Sequence, residues 1–133
     1  MSLPNTLTVN IDKENDGSSI PVVLSEIERA ADRSRYKFPG HTLVARDYVE
    51  FYRTLNKKSG NSNGVAKSAI KVTRDISVPG VDTTTTLVAP QIGHVTFSSP
   101  VGATTAQELE IAMRLVACII DSVIRPKLFA MEV

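Results

Sequence analysis

Residues 66–78 read AKSAIKVTRDISV, and the period of that stretch decides the fold. Ile70, Val72, Ile76 and Val78 share one parity, interrupted only by Arg74, while Lys71, Thr73, Asp75 and Ser77 share the other. A repeat of two marks an extended strand whose alternate side chains point to opposite faces. One face packs on apolar neighbours. The other carries ammonium, hydroxyl and carboxylate groups, which suit either plain solvent or a polar ligand.

Upstream, TLTVNI (6–11) alternates in the same way and reads as a strand. The polar stretch DKENDGSS (12–19) contains Asp16-Gly17, a hairpin turn signal, and IPVVLSEI (20–27) is the returning strand, with Pro21 at an edge or strand start. ERAAD (28–32) fits a turn or a brief helix. RSRYKF (33–38) alternates weakly and is closed by Pro39-Gly40. HTLVARDYVEFYRTL (41–55) is the longest strand candidate, followed by NKKSGNSNG (56–64), an exposed loop. Downstream, VPGVDTTTT (78–86) is a second long connection, and LVAPQIGHVTFSS (87–99) is the last strand, expected to be irregular near Pro90.

The end of the chain changes period. Thr105-Ala-Gln-Glu108 matches a capping box, with a hydroxyl at the helix start and a carboxylate three residues on. Leu109, Ala112, Val116, Ile119 and Val123 then recur at helical spacing, and Ile111, Met113, Leu115 and Ile120 widen the stripe almost around the helix. A helix apolar on so many sides wants more than one neighbour, and in so short a chain the second is expected to be another subunit. Pro126 is expected to break or kink this helix, leaving 127–133 as a last short turn.

With 133 residues, 42% of them hydrophobic, the chain suits a single domain with a real core. No apolar run reaches the roughly 18 residues needed to cross a bilayer, and MSLPNTLTVN shows no secretion signal. The lone Cys118 reads as a small buried side chain in a protein folded in a reducing cytoplasm. Net charge is +1, so any affinity for anions must come from where charges lie rather than from their sum.

Motifs for chemistry are missing. His41 and His94 stand apart with no metal-ligand spacing, and there is no glycine-rich phosphate loop, nucleophile elbow or carboxylate pair. DKEND (12–16) could attract a cation but departs from a calcium loop. No enzyme activity, cofactor or metal is therefore expected. The positive feature is the polar strand faces. Arg46, Tyr48, Glu50 and Tyr52 alternate on one strand, and Lys67, Lys71 and Thr73 on the next. Paired across the 56–64 loop, they share one sheet face, where cations meet phosphates, tyrosine stacks on bases and hydroxyls bond bases or riboses. The bland alternative is an ordinary solvated face.

With these segments in view, the layout resembles the coat proteins of single-stranded RNA bacteriophages, the leviviruses. SAIKVTRDISVPG is similar to their penultimate sheet strand, QIGHVTFSS to their last strand and TTAQELEIAMRLVACIIDSVI to their long helix. The resemblance implies one coat-protein domain over 1–133: an N-terminal hairpin (1–27), an antiparallel meander of about five strands (33–99) and C-terminal helices (104–131). It implies an α+β fold that forms an interlocked dimer, with two sheets joined edge to edge and helices reaching over the partner through Leu109, Ala112, Leu115, Val116 and Ile119. Dimers would build an icosahedral shell in the virion, made in the host cytoplasm, with the sheet facing single-stranded genomic RNA.

By position, Lys67, Lys71 and His94 match places where relatives face RNA; Arg46, Tyr48 and Thr73 follow by strand parity. His94 departs from the amide or acid found there in better-known relatives, and Ile92 stands where a stacking tyrosine is expected. In several members the sheet also grips one RNA stem-loop and represses translation. Pro79, Gly80, Val81, Asp82, Thr83 and Thr84 correspond to a loop between dimers that adopts more than one conformation. The competing expectations are a small dimeric RNA-binding regulator that forms no shell, and a small α+β enzyme with a site built from scattered loops.

Overall fold

A computed structural model of the chain describes residues 3–55, 57–82 and 84–132. Six strands come first: β1 (Thr6–Ile11), β2 (Ile20–Arg29), β3 (Arg33–Lys37), β4 (Asp47–Leu55), β5 (Val65–Pro79) and β6 (Thr86–Pro100). Two helices follow, α1 (Thr105–Ile120) and α2 (Ile124–Phe129). Each strand pairs antiparallel with its predecessor, so the sheet is a meander in the order β1-β2-β3-β4-β5-β6. This is the expected α+β class. The N-terminal hairpin is not a separate unit, because β2 also pairs with β3, which makes one sheet of six strands.

Local chemistry explains where element ends depart from the sequence reading. Residues 28–32 hold no helix. β2 continues through Glu28 and Arg29, opposite Arg35 and Ser34, after a bulge between Glu26 and Glu28, and the chain turns where Ala30 N–H donates to Arg33 O (2.8 Å). Residues 41–46 are not strand. Thr42 N–H donates to Ala45 O (2.9 Å) and the Thr42 hydroxyl accepts from Ala45 N–H (3.0 Å), closing a turn that leaves Leu43 100% exposed. β6 is regular through Pro90, which pairs with Asp75. Asp75 N–H donates to Arg46 O (2.8 Å), so Asp75 turns its backbone groups toward β4 and Pro90 directs its donorless nitrogen off the sheet.

The helix begins one residue earlier than the Thr105–Glu108 reading. Thr104 is the N-cap, its hydroxyl accepting from Gln107 N–H (3.2 Å) while Gln107 Oε1 accepts from Thr104 N–H (2.9 Å). Either Gln or Glu can close such a box, and the chain uses the Thr104–Gln107 frame. Pro126 does not kink α1. That helix stops at Ile120 because Asp121 turns extended and its carboxylate accepts from Val123 N–H (2.8 Å) and Ile124 N–H (2.9 Å). Pro126 lies in the first turn of α2, where a missing N–H breaks no intrahelical bond.

The core is small. Leu24, Tyr36 and Val49 are buried, flanked by partly buried Leu7, Val9, Val22, Phe38, Phe51 and Val72. Tyr36 meets Phe51 edge-on (5.7 Å between ring centres) and its hydroxyl donates to Pro4 O (2.6 Å). Neither helix has a buried residue, and α1 makes its main contacts with α2. One bond, Asn15 Nδ2 to Ile120 O (3.2 Å), ties the first hairpin turn to the end of α1. Cys118 is consequently exposed, not buried, because the helix around it projects from its own sheet. The protomer exposes 10330 Å². A compact monomer of 14.4 kDa would expose about 6,800 Å². The surplus, about 3,500 Å², is several times what one partner contributes to a standard interface. Among the described residues, no helix is long and apolar enough to cross a membrane.

Candidate nucleic-acid interface

Strand register sorts the sheet into two faces. On one lie Arg33, Arg35 and Lys37 of β3, Tyr48, Glu50, Tyr52 and Thr54 of β4, and Lys67, Lys71, Thr73 and Asp75 of β5. Ile92, His94, Thr96 and Ser98 of β6 complete it. On the opposite face lie Tyr36, Val49, Phe51, Ile70, Val72, Val95 and Phe97. Six candidate residues from the sequence, Arg46, Tyr48, Lys67, Lys71, Thr73 and His94, therefore share the polar face.

Its centre is a cross-strand cluster around Glu50, only 3% exposed. Arg35 Nε donates to Glu50 Oε1 (2.7 Å), its Nη2 donates to the same oxygen, and the Tyr52 hydroxyl donates to Oε2. Burial pushes the Glu50 carboxyl up, but the bonds from Tyr52 and Arg35 outweigh it and hold the group below the usual glutamate range. The same bond raises the Tyr52 phenol. Arg35 also stacks on the Tyr48 ring, 4.9 Å from its centre. Lys71 stands directly across from Glu50 on one side and His94 on the other.

The candidates differ in availability. Arg46 is engaged: Nε and Nη2 donate to the two oxygens of Asp75, each at 3.0 Å, which holds the Asp75 carboxyl low. Thr73 is 2% exposed, and its hydroxyl has no hydrogen-bond partner among the described residues. Tyr48 is half-buried under Arg35. Lys67 and His94 are exposed and Lys71 half-buried. Among the described residues, Lys37, Lys67 and Lys71 form no ion pair. Basic residues dominate this face, with Arg33, Arg35, Lys37, Arg46, Lys67 and Lys71 set against Glu28, Glu50 and Asp75. Sequence reasoning missed the β3 contribution, although the alternation of Arg33, Arg35 and Lys37 in RSRYK was the signal for it.

The other predicted groups lie elsewhere. In the β5–β6 connection, Gly80 N–H donates to Thr85 O (2.6 Å), and Asp82 Oδ1 accepts from Thr85 N–H (2.8 Å) and the Thr84 hydroxyl (3.2 Å). Pro79 ends β5 and Val81 is fully exposed; Thr83 lies outside the described residues. On α1, Leu109, Val116 and Ile119 are exposed, and Ala112 and Leu115 half-buried. Asp12 of the acidic run serves its own loop, accepting from Gly17 N–H (2.8 Å) and Asp16 N–H (3.1 Å). No group of three potential metal ligands occurs among the described residues.

No family model matches the chain, and no curated protein matches it. Solved structures do. The chain is similar to the virus-like particle of bacteriophage ESE058 (TM-score 0.69, 7% identity, 98% of this chain and 97% of that chain). It is similar to the virus-like particle of bacteriophage AVE019 (TM-score 0.68, 13% identity, 91% of each chain). It is also similar to the virus-like particle of Wenzhou levi-like virus 4 (TM-score 0.65, 20% identity, 93% of this chain and 84% of that chain). From end to end, the chain has the coat-protein fold of levi-like phage particles.

Proposed function

We propose that the chain is a capsid protein that dimerises, assembles into an icosahedral shell and encloses single-stranded RNA. The observation that carries this reading is the unpartnered surface. An apolar helix without a buried residue and an open fifteen-residue edge strand, β6, belong to a chain built to be completed by copies of itself. The likeness to virus-like particles supports a structural rather than catalytic role, with the virion as the place of work.

In this arrangement β6 edges join two sheets into one slab, and each α1 lies across the partner's apolar face through Leu109, Ala112, Leu115, Val116 and Ile119. The polar face looks inward. Lys37, Lys67, Lys71 and His94 meet phosphates, weakly per subunit and strongly by repetition over a shell. The Asp82 loop meets neighbouring dimers. Repression of translation through an RNA stem-loop is a further capacity of the same face.

Negative-stain electron microscopy of the purified protein tests the reading, together with the ratio of absorbance at 260 and 280 nm. The chain has no tryptophan and three tyrosines, so even modest RNA raises that ratio sharply. Closed shells carrying RNA are the expected result. Dimers holding RNA without shells would point to a small regulator, and RNA-free monomers would overturn both.

A further inference from the structure

The outer edge of β6 has no partner among the described residues, and two hydrogen bonds reveal which of its residues face outward. Asp75 N–H donates to Arg46 O (2.8 Å), and Val101 N–H donates to Gly64 O (3.0 Å). In an antiparallel ladder the N–H and C=O of one residue point to the same side, and that side alternates along the strand. Asp75 faces β4, so Pro90 opposite it faces outward. Val101 faces inward, so its neighbour Pro100 faces outward too. Both prolines therefore occupy edge positions where any other residue would offer a donor. Between them, Ile92, His94, Thr96 and Ser98 aim both backbone groups at the open edge.

We propose that two copies of the chain pair their β6 strands antiparallel in a single register, with Val95 opposite Val95 of the second copy. That a second copy occupies this edge rests on the capsid reading; the register comes from this chain's own residues. The donor-complete stretch lies between Pro90 and Pro100, and its midpoint is Val95. A two-fold axis there sets Ile92 opposite Ser98 and His94 opposite Thr96, giving about eight bonds between the copies. Pro90 then falls opposite Pro100, so the ladder ends where donors end. Moving the centre by one residue puts Pro90 opposite Ser98, or Pro100 opposite Ile92, and strands a carbonyl inside the ladder.

Gly93 provides an independent second observation. A Cβ built there meets nothing within 4 Å, and its φ lies outside the left-handed region, so the protomer gives no reason for a glycine in mid-strand. Such a glycine weakens a strand unless something approaches it closely. The Val95-centred register places Phe97 of the second copy directly opposite Gly93, on the apolar face. A ring lying over a bare glycine on the adjacent strand is a known stabilising arrangement.

The test is disulfide trapping in the full chain on a Cys118→Ser background, in a glutathione buffer, read on non-reducing gels. Val95 of the two copies forms a non-hydrogen-bonded pair with Cβ atoms about 4.5–5.5 Å apart, close to disulfide reach. Val95→Cys is expected to give mostly linked dimer. The double variant Gly93→Cys/Phe97→Cys is expected to link as well, while each of its single variants does not; this readout stands even if Val95→Cys folds poorly. Light scattering of the reduced Cys118→Ser protein reports dimerisation separately. A dimer in which neither Val95→Cys nor the double variant links, or in which Gly93→Cys or His94→Cys alone links instead, overturns the register and leaves the pairing standing. A monomer overturns both.

Discussion

Arg46 and Asp75 hold each other by backbone and side chain at once. Asp75 N–H donates to Arg46 O at 2.8 Å, Arg46 N–H returns a bond to Asp75 Oδ2 at 2.9 Å, and the guanidinium closes a bidentate pair with the same carboxylate. Arg46 is thus a cation already spent on the fold. Asp75→Asn should release it. We expect lower thermal stability together with tighter RNA capture, the slope of log K against log salt steepening by about 0.7 for one added phosphate contact. Filter binding across a salt series checks this; an unchanged slope would mean that Arg46 does not reach RNA.

Lys71 lies across from buried Glu50, so Lys71→Glu would set two carboxylates side by side and damage the sheet as well as the surface. Lys71→Gln and the exposed Lys67→Glu separate the two effects. Both should lower the absorbance ratio of purified particles while leaving the melting temperature of the dimer within a few degrees of the parent. Full RNA content in the double variant would remove these lysines from the interface.

Thr73 invites the reverse experiment. Its hydroxyl is buried without a partner, a cost of about 1 kcal/mol or more. Thr73→Val should stabilise the protein by roughly that amount and leave RNA content unchanged. A drop in RNA capture would show that the hydroxyl turns outward to the ligand.

Leu109 and Ile119 are exposed on the single chain, so on the proposed dimer a charge there costs little until another subunit covers it. Leu109→Asp should therefore leave the circular dichroism of any residual monomer intact while weakening association by about 3 kcal/mol or more. Sedimentation at graded concentrations measures it, and unaltered association would take α1 out of the interface.

Glu50, Asp75, Asp82 and Asp121 all have carboxyl pKa values lowered by the fold. The unfolded chain then binds more protons than the folded one between the two sets of values. The stability these groups contribute is present above the ordinary carboxylate pKa of about 4 and is lost as pH falls through the lower folded values. Melting temperature should hold between pH 7 and 5 and fall below 4. Glu50→Gln should start about 1–3 kcal/mol lower at pH 7, with Arg35 left only its longer ion pair to Glu28 (3.5 Å), and lose less on acidification.

Period-two patterning located the strands well because each has one face that must be apolar. Where ends were misjudged, a local hydrogen bond had replaced the pattern: Thr42 and Ala45 closed a turn inside an alternating run, and Asp121 stopped α1 before Pro126 could. The shared polar face followed from parity alone. Which of its cations are free did not, because the Arg46–Asp75 pairing depends on a register that only the folded sheet fixes. Cys118 was misread for a related reason: apolar company in sequence does not say that a residue is covered within its own chain.

On the proposed assembly, the surface left bare on the single chain also sets the reaction order of its folding. A molecule that hides so little of itself would then gain much of its stability from collision with its own kind, and its melting point should climb with concentration. Dilute, newly made chains would be prey to proteases, and crowded ones would lock. Abundance itself would then act as the trigger that commits the chain to its final state.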